Sequence, residues 1–251
     1  MHTLATVVKV LQSCVCQWRS IDAADFAVSD RLALPELHVD LWRVDLDATA
    51  EAESRWRSLL SEAELQRAQR FHFDRDRKHF CAARGLLRTV LSGYLAVPAK
   101  DIQFRYLEKG KPELAAIPET GPLSFNVSHS GGVALFGFTG DRAIGVDVEK
   151  IRTDFDTDAI ARRFFSERER EQLASLPQDQ RHDAFFRYWT LKEAFIKALG
   201  EGLSHPLRQF DVTTESPIAL ITRPDASEAA NWSLQRVDAG PDHAAAFAVR
   251  R

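Results

Sequence analysis

The sequence predicts an α+β fold built from two similar halves, and three features of the chain support this prediction. Stretches that alternate apolar and polar residues, as half-buried strands do, are interleaved with longer amphipathic segments typical of helices. The pattern Ser-x-x-Glu, a helix-capping box, occurs at Ser61–Glu64 and again at Ser166–Glu169. A long amphipathic helix and further strands follow each box, so the second half loosely repeats the first, with a junction near Gly140–Gly145.

The first half is predicted to contain four strands around two helices. Its long helix has a continuous apolar side and should end before Pro98, because proline cannot continue a helix. A turn at Glu108–Pro112 and a polar loop at Ser128–Gly132 separate the later elements. The predicted strands are Leu37–Leu46, Ile102–Tyr106, Leu123–Val127 and Val133–Phe138, and the predicted long helix is about Arg75–Ala96.

The second half begins with the apolar strand Ala143–Glu149. Its long helix, Arg187–Leu199, should stop at Gly200, because glycine favours helix C-termini. Three strands are then predicted at Phe210–Thr213, Trp232–Arg236 and His243–Val249. We therefore expect a poorly specified leader at residues 1–36, where partial disorder is one outcome, an N-terminal α+β half at 37–142 and a C-terminal half at 143–251.

Composition limits the classes of protein to consider. The 251 residues are 45% hydrophobic and 27% charged, which is ordinary for a globular chain with one or two cores. The formal net charge of −3 argues against nucleic-acid binding through bulk electrostatics. No apolar run reaches the roughly 18 residues that suggest a membrane span. The three cysteines, Cys14, Cys16 and Cys81, form no disulfide or metal framework, which predicts a cytoplasmic protein.

Three carboxylates and a lysine form the most informative motif. Asp147 and Glu149 are two residues apart on a predicted strand, so their side chains share one face. Glu193 and Lys197 are four residues apart on a predicted helix and also share a face. Together they suit one divalent cation, an anionic ligand and a proton transfer. Alternatively, the first pair lies on an exposed strand edge and the second pair is a surface ion pair.

Other residues have the chemistry to bind phosphate groups. In the segment Ser128–Gly132, the glycines would let a ligand approach the backbone, and His129 would donate to a phosphate. Lys111 lies in a Gly-Lys-Pro turn that lacks the spacing of a P-loop, and this turn could equally be a solvated loop. One or two arginines on basic helix faces would reach a phosphate, from among Arg67, Arg70, Arg84 and Arg88.

These motifs together resemble the phosphopantetheinyl transferases, specifically the large monomeric Sfp type. Four segments match the family pattern in the family's order, and the resemblance covers the chain from about Leu37 to near the C-terminus. The four segments are Gly110–Pro112, Phe125–Ser130, Ile144–Glu149 and Trp189–Lys197. The resemblance implies two α+β halves related by a pseudo-twofold axis, with the active site in the cleft between them.

The activity implied by this resemblance is a transfer of 4'-phosphopantetheine from coenzyme A to a serine of an apo acyl or peptidyl carrier protein. Adenosine 3',5'-bisphosphate would be released. In the family, such carriers act in fatty-acid, polyketide or nonribosomal peptide synthesis. The resemblance also implies a monomer that uses Mg²⁺, with coenzyme A and a carrier protein as its partners and with no nucleic acid or membrane among them.

The resemblance implies a role for each matched residue. Asp147, Glu149 and Glu193 would hold Mg²⁺, and Glu193 would also receive the proton of the carrier serine, directly or through water. Lys197 would neutralise charge on the leaving phosphate. Coenzyme A would contact Arg67, Lys111, Ser128, Lys197 and, at its 3'-phosphate, His129. Near Arg67, a family position that is often basic is occupied by Glu64 in this chain. The sequence therefore departs at this point from a clamp of two basic residues.

Two other functions are compatible with the same residues. A metal-dependent phosphohydrolase would use the same carboxylates and would release pantetheine phosphate without a carrier protein. A non-catalytic protein that only binds carriers would be expected to lack one of Asp147, Glu149 and Glu193, and all three are present.

Overall fold

The computed structural model describes residues 6–11, 14–22, 31–35, 38–154, 156–202, 205–222 and 227–251. The helices are α1 (Ala50–Arg57), α2 (Glu62–Gln69), α3 (Asp74–Leu95), α4 (Thr157–Phe164), α5 (Glu167–Ser175), α6 (Gln178–Leu199) and α7 (Ser227–Ala230). The strands are β1 (Thr6–Leu11), β2 (Cys14–Asp22), β3 (His38–Asp45), β4 (Phe104–Tyr106), β5 (Pro112–Leu114), β6 (Ser124–Ser130), β7 (Val133–Thr139), β8 (Ile144–Lys150), β9 (Phe210–Val212), β10 (Leu220–Thr222), β11 (Trp232–Val237) and β12 (His243–Arg250).

Two sheets and two long helices form the framework, which confirms the predicted α+β class. One sheet has the order β1-β2-β3-β7-β6, and the other has the order β11-β12-β8. Helix α3 lies in the core of the first half with residues such as Trp42 and Phe136, and α6 lies in the core of the second half with Phe210 and Trp232. None of the described helices combines the length and apolar character needed to cross a bilayer.

The predicted repeat is present in atomic detail. Both capping boxes form, and they begin α2 and α5. In the first half, Arg88 on α3 pairs with the box glutamate Glu64 at 2.8 Å. In the second half, Lys192 occupies the same position along α6 and pairs with Glu169, also at 2.8 Å. Both long helices have 22 residues, and both cations lie over a phenylalanine ring, Phe104 and Phe210 respectively.

The N-terminal segment differs from the expected leader wherever the structure describes it. Strands β1 and β2 are antiparallel to each other, and β2 pairs in parallel with β3 along its whole length. Cys16 on β2 is buried in the apolar layer between the two sheets. The guanidinium of Arg19 lies 4.9 Å from the centre of the Trp42 ring. The sequence signal was weak because β2 joins the rest of the sheet through a parallel pairing with β3, which no local pattern predicts.

Helix α6 makes its closest approach to β8 at Gly145. A Cβ atom at this position would lie 2.1 Å from the Ala194 carbonyl oxygen and 2.4 Å from the Ala198 amide nitrogen. Only glycine leaves room for this contact, because both obstacles are backbone atoms of a helix. The absent side chain therefore sets the separation between α6 and the strand that carries Asp147 and Glu149.

Replacing Gly145 with alanine should push α6 away from β8. Helix backbone atoms cannot move aside as a flexible side chain can, so we expect the free energy of unfolding to fall by about 3 kcal/mol, the upper end for overpacked cores. Urea unfolding followed by circular dichroism measures this loss. A wild-type midpoint in Gly145→Ala would contradict the close packing described here.

Gly137→Ala provides the matched control, because its nearest obstacle is a side-chain atom, Val146 Cγ1, at 2.6 Å. Adding Val146→Ala should therefore cost less stability in the Gly137→Ala background than in the wild type. In the Gly145→Ala background the same substitution should give no such relief, since the obstacle there is the backbone of α6.

Candidate active site

The two carboxylates of β8 face β6 on one side of the strand, as their spacing predicts. Ser128 Oγ donates to Asp147 Oδ1 at 3.0 Å, and Ser130 Oγ donates to Glu149 Oε2 at 2.8 Å. The third residue on this face of β6, Asn126, accepts from the Val146 amide at 2.9 Å. Alternate side chains of β6 thus connect it to β8 through hydrogen bonds that a paired strand would make with its backbone. The same bonds orient both carboxylates.

Lys197 brings a positive charge from α6 to this pair of strands. Its Nζ donates to Asp147 Oδ1 at 2.6 Å and to Ser128 Oγ at 3.0 Å. Desolvation opposes the charge of the ammonium, but the combined attraction of Asp147, Glu193 and Glu149 outweighs it and raises the pKa of Lys197 above its ordinary value. The described ion pair of Lys197 is with Asp147, so the alternative of a surface pair with Glu193 is wrong.

Glu193 lies one helical turn before Lys197 and has no ion-pair partner among the described residues. Its Oε1 atom and Asp147 Oδ2 are buried and accept no hydrogen bond. Desolvation, followed by repulsion from Asp147, raises the pKa of Glu193 to about 7. The same two causes raise the pKa of Glu149. The cluster therefore has more carboxylate than the single ammonium of Lys197 can compensate.

This chemistry fits a hard cation, although the side chains do not enclose one by themselves. Among the residues that the structure describes, no three acidic, histidine or cysteine side chains come close enough to form a metal site. The two buried oxygens without partners, on Asp147 and Glu193, are the kind of ligand that Mg²⁺ prefers. Mg²⁺ usually completes its coordination with water and with phosphate oxygens of a substrate.

A cavity of about 430 Å³ between the halves brings most of the predicted residues together. It is bordered by α2 and α3 on one side and by the end of α6 on the other. A larger cavity of about 820 Å³ near β10 and β11 contains none of the predicted residues. The predicted residues that line the smaller cavity are Arg67, Lys111, Ser128, His129, Glu193 and Lys197. Asp147 adjoins it through its contacts with Ser128 and Lys197.

Lys111 and His129 have surroundings that the sequence did not reveal. Lys111 Nζ donates to the carbonyl oxygens of Lys197 at 2.9 Å and of Ile144 at 3.2 Å, which ties the Gly-Lys-Pro turn to the second half. Desolvation lowers the pKa of Lys111. Desolvation in the cleft, with the positive charge of Lys197, lowers the pKa of His129 to about 4. A bound anion would oppose this shift and favour the imidazolium.

The departure at Glu64 has a structural explanation. Glu64 is buried, accepts from the Ser61 amide as the box glutamate, and pairs with Arg88. It is therefore part of the framework of the first half rather than a position for binding nucleotide. The sequence already indicated this structural role, because Ser166 and Glu169 form the same Ser-x-x-Glu capping pattern as Ser61 and Glu64. Arg84, which was only one of several candidate arginines, lines the cavity together with Arg67.

Comparisons with known proteins identify the family of this chain. A model described as the 4'-phosphopantetheinyl transferase superfamily matches residues 143–248, and one described as 4'-phosphopantetheinyl transferase, N-terminal, matches residues 47–137. The phosphopantetheinyl transferase HetI of Nostoc sp. is 40% identical over 87% of this chain and 90% of its own length. Sfp of Bacillus subtilis is 34% identical over 67% of this chain and 73% of its own length.

A solved holo-[acyl-carrier-protein] synthase of Thermotoga maritima is also similar, with 24% identity and a TM-score of 0.36 over 43% of this chain and 62% of that one. The family models match both halves of the chain, and the relative from Nostoc matches nearly its full length. The resemblance drawn from the four sequence motifs is thus confirmed, and the chain belongs to the 4'-phosphopantetheinyl transferase superfamily.

Proposed function

We propose that this protein transfers 4'-phosphopantetheine from coenzyme A to a serine of an apo acyl or peptidyl carrier protein and releases adenosine 3',5'-bisphosphate. The observation that carries the proposal is the cleft, whose lining brings Glu193 and Lys197 together with Arg67 and His129, and which Asp147 adjoins through its contact with Lys197. A substrate with a diphosphate and a separate 3'-phosphate suits this set of charged groups. Membership of the family supports the same reaction.

Asp147, Glu149 and Glu193 are the residues that would hold Mg²⁺ against the diphosphate of coenzyme A. The two buried carboxylate oxygens without partners support this assignment. When bound, the ion would neutralise negative charge on the phosphate oxygens. Ser128 and Ser130 fix the orientation of the β8 carboxylates by donating to Asp147 Oδ1 and Glu149 Oε2, respectively.

Glu193 is the residue we assign as the base for the carrier serine. Phosphoryl transfer depends mainly on in-line placement and on charge neutralisation. The serine hydroxyl would give its proton to Glu193 while its oxygen forms a bond to the phosphorus atom that bears the pantetheine. The bond from this phosphorus to the bridging oxygen breaks, and that oxygen leaves with the electron pair on the nucleotide phosphate.

Lys197 is placed to stabilise the charge that develops on the leaving phosphate. Its ammonium is held by Asp147 and Ser128 rather than by a flexible surface contact. A donor that is already oriented needs no reorganisation when the charge appears, which is the condition for strong electrostatic catalysis. The cleft residue Lys111 contributes positive charge nearby and would bind phosphate together with Ser128 and His129.

We assign the carrier protein to the surface of α4 in the second half. Arg162 and Arg163 on α4 are exposed there and would attract an acidic carrier. The division into halves at 37–142 and 143–251 is supported by the separate cores around α3 and α6. A carrier-binding protein without activity is disfavoured, because all three carboxylates and Lys197 are retained.

The first prediction separates the roles of Lys197 and Glu193. Lys197→Ala should lower kcat by roughly 100- to 1000-fold, the usual effect of losing one oriented charge-stabilising group, and should keep the wild-type dependence on Mg²⁺. Glu193→Gln should also lower kcat strongly and should in addition require a higher Mg²⁺ concentration. Transfer to an apo carrier, read by intact mass across a Mg²⁺ titration, gives both quantities.

Lys150→Ala is the matched control, because Lys150 is an exposed lysine at the end of β8, next to Glu149. It should change kcat by a factor of about two or less, as a surface substitution does. If Lys197→Ala and Glu193→Gln are as active as this control, the site is misassigned.

The second prediction concerns stability in the presence of a chelator. The folded state keeps the Glu193 proton up to a pKa of about 7, whereas the ordinary value is 4.5. Unfolding therefore releases a proton between these values, and higher pH favours the unfolded state. We expect the Tm of the wild type, relative to Glu193→Gln, to fall as the pH rises from about 4.5 to about 7.

Addition of Mg²⁺ at pH 7.5 should then raise the Tm of the wild type more than that of Glu193→Gln, because cation binding favours the folded state. Glu171→Gln, on the exposed side of α5, is the control and should follow the wild type throughout. Parallel curves of Tm against pH for the wild type and Glu193→Gln would show that the pKa of Glu193 is not raised in the folded state.

A further inference from the structure

Arg84 is a buried cation that lacks a counterion. Only 7% of its surface is exposed, and its Nη1 atom is buried without a hydrogen-bond partner. Within the described part of the chain, no carboxylate lies within ion-pair distance of its guanidinium. Its neighbours are instead the faces of Phe80, Phe104 and Tyr106, whose centres lie 5.7–6.0 Å from the guanidinium carbon. A buried charge in this state is costly unless a ligand pairs with it.

Arg88, one turn further along α3, shows what a structural arginine looks like in the same region. Its guanidinium contacts Glu64 and donates to the carbonyl oxygens of Ala99 and Ile102. Glu64, whose charge also acts on Arg84, is thus already paired with Arg88. The contrast indicates that the environment of Arg84 is not completed by the protein.

The position of Arg84 points to the missing partner. It lines the same cavity as Arg67 and His129. Arg67 and Arg84 lie over the ring of Phe80, at 5.6 Å and 5.7 Å from its centre. The positive charge of Arg84 also acts on His129, whose pKa it helps to lower. Three groups that can carry positive charge, Arg67, Arg84 and His129, therefore line the same cavity.

We propose that Arg84 binds the 3'-phosphate of coenzyme A and, with Arg67, forms the two-residue basic clamp that Glu64 does not provide. This inference rests on the proposed function and names a further residue that determines its substrate specificity. The diphosphate is already assigned to Lys197 and to the Mg²⁺ that the carboxylates would hold, so the phosphate left for Arg67 and Arg84 is the one on the ribose. A guanidinium suits it, because its planar set of donors can bind two phosphate oxygens at once.

Calorimetric titration of the full chain with two nucleotides tests this inference without any carrier protein. Adenosine 3',5'-bisphosphate and adenosine 5'-monophosphate differ only in the 3'-phosphate. Arg84→Met should weaken binding of the bisphosphate by about tenfold or more, as loss of a charge-assisted hydrogen bond does, and that of the monophosphate by less than twofold. Arg70→Met, an exposed arginine at the end of α2 and outside the cavity, should leave both affinities within twofold.

A stability measurement distinguishes a ligand-binding arginine from a structural one. Without ligand, Arg84→Met should melt at or above the wild-type temperature, because it removes an uncompensated buried charge. Arg88→Met should melt well below it, because that change leaves Glu64 unpaired. Arg84→Lys keeps the charge without the planar donors and should show a smaller selective loss of bisphosphate affinity.

The outcomes separate this inference from the function on which it rests. A wild type that prefers the bisphosphate, with the preference intact in Arg84→Met and Arg84→Lys, would overturn the role of Arg84 alone. Equal losses for both nucleotides, or a fall in Tm as large as that of Arg88→Met, would make Arg84 structural. A wild type that binds neither nucleotide would overturn the proposed function together with this inference.

Discussion

The contact between α6 and β8 at Gly145 is the constraint on which the site depends. Glu193 and Lys197 are on the helix and Asp147 is on the strand, so the distance between the two elements decides whether these groups meet. The 2.6 Å contact of Lys197 with Asp147 requires a helix that lies directly on the strand backbone. Gly145 has no side chain and takes no part in the chemistry, yet it determines how closely Glu193 and Lys197 approach Asp147.

The two halves use the same framework for different purposes. In each half, a capping-box glutamate pairs with a buried cation of the long helix, and this pair fixes a short helix against the long one. In the second half, the same long helix continues to Glu193 and Lys197. In the first half, the corresponding helix contributes Arg84 to the lining of the cavity. A repeated scaffold therefore brings side chains of different charge, from α6 and from α3, to one cleft.

Much of this arrangement could be predicted from local sequence signals. The boxes at Ser61 and Ser166, the carboxylates on one face of β8 and the stop of α6 at Gly200 depend on neighbouring residues only. Features that depend on distant parts of the chain were missed or left open. They include the parallel pairing of β2, the carbonyl contacts of Lys111 and the burial of Arg84. No local pattern reports which of several helix arginines loses its counterion to a neighbour.

The contact between β6 and β8 determines which surfaces each half would expose if the two halves were separated. Side chains of Asn126, Ser128 and Ser130 join the strands, and behind them Val146 and Val148 pack in the apolar layer shared by both sheets. Separation would leave an unpaired strand edge next to an uncovered apolar face, a combination that promotes association between chains. Synthesis of both halves as one polypeptide ensures that each newly made edge meets its intended partner at a high local concentration.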